Sequence, residues 1–467
     1  MMQASSFSLT VQDIVDATQG TLIRGRMNKT ISGVSVDTRA LKAGDLFVPL
    51  AGCQFGGCHF LAQAVASGAG AFLTERAAAK NNISFSVEDV AGIEVDDTLT
   101  ALGDIARHWR SQFNIPMIAI TGSMGKTATR EMIAAICGQE KSILKTERNF
   151  DDRVDIPLTL LRLRKGIDLG ILEMQTDTPG EVEILSRLIN PDVGIITNIG
   201  AAYPEGFGTI DELREEKWRL FEVMDQGGTA IFNLDNPGIR ILAEWWRGDK
   251  ITCSLSSAAD ITASDICRVE SSRTSFRIHL GGKSFPVVLP VLGRHNVRNA
   301  LLAVSAARAL GYSPEMIVET LNTIRPFEDK LKIVTLNNGT RLIQDSHAAM
   351  PLSGGDTLRV MAELSGHRKR IVFLNDMLEL GEKAAYFHED FGRKLAWSGV
   401  HVLFLRGEFS QITAQAAMEE GMDREMIFFV NEPQEAMPVI RDVAGKDDWI
   451  LLKGFRDMNL NELLPAV

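Results

Sequence analysis

The residues in this chain best suited to chemistry follow a short glycine turn. The segment IPMIAITGSMGKTATREMIAAI, Ile115 to Ile136, runs an apolar strand into Gly122-Ser123-Met124-Gly125-Lys126-Thr127 and then, through Ala128, into a helix. Phosphates need backbone N–H groups pointing inward; glycines permit the tight curve, and a helix N-terminus adds a favourable dipole. In such a loop Lys126 neutralises the outer phosphates and the Thr127 hydroxyl holds magnesium. The spacing is shorter than a standard Walker loop, because Ile120 stands where the outer glycine would be. A chance glycine turn is the competing reading, and the order strand, Gly-Lys-Thr, helix disfavours it.

Two further residues could serve the same site. Glu173 ends the apolar run DLGILEM, and ligands of doubly wound sheets bind at the carboxyl ends of parallel strands, where a carboxylate can hold a second magnesium. Standing alone it could equally be a solvated strand-end acid. Lys217, in REEKWR, reads on its own as a lysine on a helix surface.

The elements that must position these groups alternate. At 467 residues the chain is too long for one core, and about 150 residues per domain gives roughly three domains. Residues 1 to about 112 mix short β-rich runs (ISGVSVDT, DLFVPLAG, AGAFLTE, GIEVDD) with helical stretches, as in a small α/β domain. From Ile115 onward strands alternate with helices, including one from about Ile210 to Met224, which predicts a doubly wound parallel sheet. Arg325-Pro326-Phe327 marks a boundary, and beyond it alternation resumes in a third α/β unit. The expected domains are therefore 1–112, 113–325 and 326–467.

Composition narrows the partners. The net charge of −11 and the lack of a Lys/Arg cluster argue against a general nucleic-acid binder. The five cysteines, Cys53, Cys58, Cys137, Cys253 and Cys267, lack metal-ligand spacing and read as reduced thiols. Without a basic region followed by an apolar stretch at the N-terminus, or an apolar run near membrane-span length, the expectation is a cytoplasmic protein with no membrane partner.

TGSMGKT resembles the shortened phosphate loop of the Mur ligases and their relatives, the folylpolyglutamate synthetases. The resemblance extends along nearly the whole chain. PGEVEILSRLINPDVGIITNIGAAYPEGFGTIDELREEKWRLFE is similar to the family's central segment, especially to the branch that adds D-alanyl-D-alanine to a cell-wall precursor. SVDTRALKAGDLFVPLAG resembles the uridine-nucleotide-binding first domain, with Ser35, Asp37 and Arg39 in its polar positions. LPVLGRHNVRNALLAV resembles the ATP-binding helix through His295, Asn296 and Asn299, and LNDMLELGEKAAYFHEDFG and LLKGFRDMNL resemble the third domain's signatures.

The resemblance implies a three-domain α/β ligase: an N-terminal substrate domain, a central P-loop domain and a C-terminal Rossmann-like domain that closes on ATP and receives the amine. It implies ATP and Mg²⁺ as cofactors, small-molecule carboxylate and amine substrates, a monomer, and amide formation through an acyl phosphate. Glu173 is then a metal ligand with Thr127. Lys217 falls on the lysine that is carbamylated in the family to become an anionic ligand. Asn299 would meet the adenine, with Asn296, Lys330 and Asp345 also at the nucleotide. Asn149, Asp151, Asp152 and Tyr203 fall at the acceptor site.

Departures concentrate at recognition positions. The family's Gly-Asn-Phe-Asn-Asn reads Arg148-Asn149-Phe150-Asp151-Asp152, replacing two amides by acids that cannot donate hydrogen bonds. Tyr203 replaces a histidine, Lys330 an arginine, and Asp-Ser-Tyr-Asn-Ala-Asn-Pro reads Asp345-Ser346-His347-Ala348-Ala349-Met350-Pro351. Gly56-Gly57-Cys58-His59-Phe60, Phe455 and Asp457 also depart. These changes fit a divergent cell-wall enzyme or a ligase redirected to another carboxylate and amine. A catalytically silent ATP-binding scaffold is the third expectation.

Overall fold

The computed structural model describes residues 7–50, 60–76, 89–147, 151–176, 178–200, 206–224, 227–269, 273–325, 332–336, 338–345, 351–378 and 380–454. Their strands form three main sheets and a two-stranded ribbon.

The central sheet has nine strands, in the order Lys283–Leu289, Arg273–Leu280, Ile261–Val269, Lys250–Ser254, Thr229–Asn233, Val193–Ile196, Met117–Thr121, Leu169–Glu173, Ile143–Lys145. Neighbours from Ile143–Lys145 to Ile261–Val269 are parallel. Met117 and Ala119 face one helix layer while Ile118 and Ile120 face the other, so the strand is apolar throughout because both faces are covered. One layer holds the helices Lys126–Cys137, Arg294–Ala309 and Pro314–Thr323, and the other holds Asp152–Leu160, Glu181–Ile189 and Ile210–Val223.

The doubly wound parallel sheet expected from the alternation is present, with an extension the alternation did not show. Arg273–Leu280 and Lys283–Leu289 continue it as antiparallel strands. In Arg273–Leu280 every second residue is buried, the period-two pattern of a strand with one covered face.

The first sheet orders Thr21–Arg24, Ala91–Val95, Ala71–Glu75, Leu46–Phe47 and Val34–Ser35, parallel except at its first pair. The helix Thr98–Arg110, capped by Asp97, leaves this sheet and packs against Asp152–Leu160 and Glu181–Ile189. Its Trp109 is buried and donates from Nε1 to the Leu163 carbonyl at 3.0 Å, and Arg110 donates to the Ile189 carbonyl at 3.2 Å. One apolar core thus runs continuously from Leu9 and Ile93 through Trp109 to Leu185 and Phe221.

The third sheet orders Lys332–Thr335, Arg341–Asp345, Trp449–Lys453, Arg370–Asn375, Val402–Arg406 and Ile427–Phe429, with only its first pair antiparallel. It meets the central unit at Leu292, which is buried in the third unit's core, and at Lys383, whose Nζ donates to the Gly208 carbonyl at 3.2 Å. Among the described residues no helix is long and apolar enough to cross a membrane.

Candidate active site

The phosphate loop leaves the central strand at Thr121 and enters the helix at Lys126. Gly122 has φ +140° and a Cβ there would lie 2.0 Å from Thr197 Oγ1; Gly125 has φ +81° and a Cβ would lie 2.4 Å from Asn299 Oδ1. Both positions therefore require glycine, for conformation and for space. The neighbouring strand end fastens the loop: Ser123 N–H donates to the Asn198 carbonyl at 3.1 Å, Met124 N–H to Asn198 Oδ1 at 2.8 Å, and Gly200 N–H to Ser123 Oγ at 3.1 Å. Lys126 opens the helix rather than standing free in the loop, and its Nζ reaches back to the Gly122 carbonyl at 2.8 Å.

Glu173 ends the adjacent parallel strand, in register with Ile120, and is largely buried. Thr127 Oγ1 donates to its Oε1 at 3.1 Å, while Arg130 NH1 lies 3.1 Å from its Oε2 as an ion pair. Asp152, one residue into its helix, accepts the Gln175 N–H. Burial pushes its carboxyl up to about 6 against the lowering pull of that N–H and of Lys126, with Glu173 and Asp155 adding to the rise.

Lys217 overturns the surface reading that its local sequence suggested. It is 2% exposed and its Nζ donates to Thr176 Oγ1 at 3.3 Å, with Thr176 in turn 3.4 Å from Thr121 Oγ1. The helix Ile210–Val223 turns Leu213, Lys217 and Leu220 inward, four and three residues apart, so the lysine lies on the buried stripe. Its neighbour Glu216 is also buried and accepts from the N–H groups of Gly180 and Val182 at 2.9 Å each.

Lys126, Thr127, Asp152, Glu173 and Lys217 thus gather at the carboxyl edge of the central sheet. Helix N–H groups and a lysine suit a polyphosphate, and hydroxyl with carboxylate oxygens suits a hard divalent cation. Among the described residues no group of three or more His, Cys, Asp and Glu side chains is arranged to hold a metal, so a cation here would rest on a mixed oxygen set.

Three family descriptions match in series: the Mur ligase family catalytic domain over residues 30–110, the Mur ligase middle domain over 120–307, and the Mur ligase glutamate ligase domain over 331–456. The UDP-N-acetylmuramoyl-tripeptide–D-alanyl-D-alanine ligase of Bacillus subtilis is 31% identical over 456 residues, covering 97% of each chain. The chain belongs to the Mur ligase family. The Escherichia coli ligase of the same name is 31% identical over 88% of each chain. A crystal structure of MurF from Acinetobacter baumannii superposes with a TM-score of 0.86 at 28% identity, covering 98% of both chains.

In this Mur ligase the other residues singled out from sequence are spread over three places. Asn299 and Asn296 are buried on the helix Arg294–Ala309, where Asn299 Nδ2 donates to Asn296 Oδ1 at 3.3 Å and its carboxamide lies against Gly125. Ser35, Asp37 and Arg39 form a turn in the first sheet: Ser35 Oγ donates to the Asp37 carbonyl at 2.9 Å, and Arg39 forks onto the Asp37 carboxylate. That hydrogen-bonded guanidinium holds the Asp37 carboxyl below its ordinary range.

Asp345 sits at the carboxyl end of a third-sheet strand, buried, with its Oδ2 accepting from Lys453 Nζ at 2.6 Å and Thr357 Oγ1 at 2.8 Å. Asp151, expected at the acceptor site, caps its own helix: its exposed side chain accepts the Arg153 N–H at 2.8 Å. Asn149, Tyr203 and Lys330 lie outside the described residues, as do Arg148, His347, Phe455 and Asp457.

Four residues were not singled out from sequence. Thr197 and Asn198 hold the loop, Arg130 faces Glu173, and Lys453 pairs with Asp345. Thr197 and Asn198 directly follow the apolar run VGII, and Lys453 follows WILL; a polar residue at the carboxyl end of a parallel strand is the signal common to them.

Proposed function

We propose that the chain is an ATP- and magnesium-dependent ligase that joins D-alanyl-D-alanine to a UDP-N-acetylmuramoyl-tripeptide. The convergence of Lys126, Thr127, Glu173 and the buried Lys217 carries this reading, supported by full-length similarity to ligases of that name. It includes the three units 1–112, 113–325 and 326–467 as first-substrate, ATP and closing domains. A cytoplasmic monomer completes it.

Making an amide from a carboxylate requires converting its oxygen into a leaving group. In this reading the acceptor carboxylate takes the γ-phosphoryl group of ATP, giving an acyl phosphate and ADP. The amine of the dipeptide then attacks the acyl carbon, loses a proton, and inorganic phosphate departs. The loop N–H groups of Gly122 to Ala128 cradle the phosphates and Lys126 moves from the Gly122 carbonyl onto the transferring group. Thr127 Oγ1 and Glu173 Oε1 would hold magnesium, which when bound offsets phosphate charge. Lys217, carbamylated, would supply a further anionic ligand. Asn299, beside the loop, borders the nucleotide with Asn296, and Asp345 faces it from the third unit; Ser35, Asp37 and Arg39 serve the nucleotide part of the acceptor. Closure of the third unit over the site protects the acyl phosphate from water.

The test is phosphate release by purified protein with ATP and Mg²⁺, with mass spectrometry of the product. Release that requires both UDP-MurNAc-tripeptide and D-alanyl-D-alanine, with their condensation product, is expected. Release that needs another carboxylate or amine, and no product from this pair, overturns the substrate assignment.

A further inference from the structure

Arg130 is a cation pointed at a carboxylate that the proposed function gives to a metal. It lies three residues after Thr127 on the loop helix, hence on the same face. It is 6% exposed, and the structure spends its whole guanidinium: Nε and NH2 fork onto Glu131 Oε1 at 3.1 and 2.7 Å, while NH1 donates to Thr146 Oγ1 at 3.3 Å and stands 3.1 Å from Glu173 Oε2. Glu131 is itself fixed through its other oxygen by Lys145 Nζ. Thr146 Oγ1 also accepts the Glu173 N–H at 3.2 Å, so one hydroxyl ties Arg130 to the end of the strand.

The two oxygens of Glu173 are consequently divided. Oε2 faces Arg130 away from the loop, and Oε1 faces Thr127 at its mouth. A buried charge needs a partner, and removing one member of a buried pair leaves the other uncompensated. Arg130 supplies that partner when no cation is there. It also offsets the negative charge that would otherwise attract a divalent cation to the bare site.

We propose that Arg130 is a positioning residue and built-in counter-charge for Glu173: it aims a single carboxylate oxygen at the loop and keeps divalent-cation binding weak until nucleotide phosphates restore the missing negative charge. This rests on the reading of Glu173 as a cation ligand. Asp152 also faces the carboxylate electrostatically, from the next helix, and itself feels Lys126 from the loop; both are kept in every variant compared.

The experiment uses Mn²⁺ as the probe, read by electron paramagnetic resonance of the free ion and by thermal shift, on full-length protein with and without ADP. Without nucleotide, Arg130→Met is expected to bind Mn²⁺ with a half-saturation about tenfold lower than the unmodified protein, equivalent to ~1.4 kcal/mol, and to show a larger Mn²⁺-induced rise in Tm. Arg130→Lys keeps a cation and should restore the weak binding, and Arg130→Met with Glu173→Gln should lose the gain. Equal Mn²⁺ binding in Arg130→Met and the unmodified protein overturns the proposal, as does tight binding in Arg130→Lys, the variant that serves if the Met form does not fold. With ADP present, Glu173→Gln should weaken Mn²⁺ binding whatever stands at 130. If it does not, the reading of Glu173 fails; if it does while Arg130→Met binds as the unmodified protein, only the counter-charge fails.

Discussion

Asp152→Asn is expected to stabilise the nucleotide-free protein, and by more at pH 8 than at pH 5. Burial raises the Asp152 carboxyl from 3.8 to about 6, so folding favours its protonated form. Because the folded value lies above the unfolded one, the penalty is absent well below pH 3.8, grows through the window between the two values, and is complete above pH 6. At 1.36 kcal/mol per unit, ionised Asp152 costs the folded state on the order of 2 kcal/mol at pH 5 and on the order of 3 kcal/mol at pH 8. Asparagine carries no charge and its Oδ1 can still accept the Gln175 N–H. Urea denaturation of the unmodified and Asp152→Asn proteins at the two pH values should show a gain that is larger at pH 8 by on the order of 1 kcal/mol. Asp151→Asn is the control, since Asp and Asn cap helices about equally well; it should shift neither midpoint appreciably. A gain of the same size at both pH values, or a loss at pH 8, would refute the account of Asp152 as a group strained by its surroundings.

Lys126→Ala should abolish phosphate release while circular dichroism still shows the native fold, because the variant removes the cation that the loop presents to the transferring phosphoryl group. Lys217→Ala should lose turnover and regain part of it with added short carboxylic acids that occupy the vacated anionic position; full activity without addition would mean no role in the site. Trp109→Ala removes a buried ring and the hydrogen bond to Leu163 at the junction of the first and central units, and should destabilise by about 3–5 kcal/mol in denaturant unfolding.

The central unit was legible because its local signals agree with one another: strand, glycine turn and Gly-Lys-Thr fall in an order that few structures accommodate. Glu173 was legible as a strand-end acid. Lys217 was legible only through family resemblance, since charged residues flank it on both sides in sequence; its burial depends on which helix face meets the sheet, and Leu213 and Leu220 mark that face only once the helix is phased. Arg130 was hidden for the same reason. Its partners Glu173 and Thr146 lie on other elements, and no local spacing relates them. The antiparallel extension could have been read from the alternation in RTSFRIHL, whereas the continuity of the apolar core across Gln112 depends on where Trp109 docks.

The two acids that replace the family's amides now carry unequal weight. Asp151 gives its carboxylate to the Arg153 N–H, a task an asparagine performs equally well, so that exchange costs the helix nothing. Asp152 is different, because its carboxyl is raised by burial and feels both Lys126 and Glu173. A charge placed there acts first on the lysine and the carboxylate of the phosphoryl-transfer edge. The expected signature of this substitution is therefore a change in pH profile and cation requirement rather than a new acceptor. If Asp152→Asn changed the preference among carboxylates while leaving both of those untouched, the acid would have to be assigned to the acceptor after all.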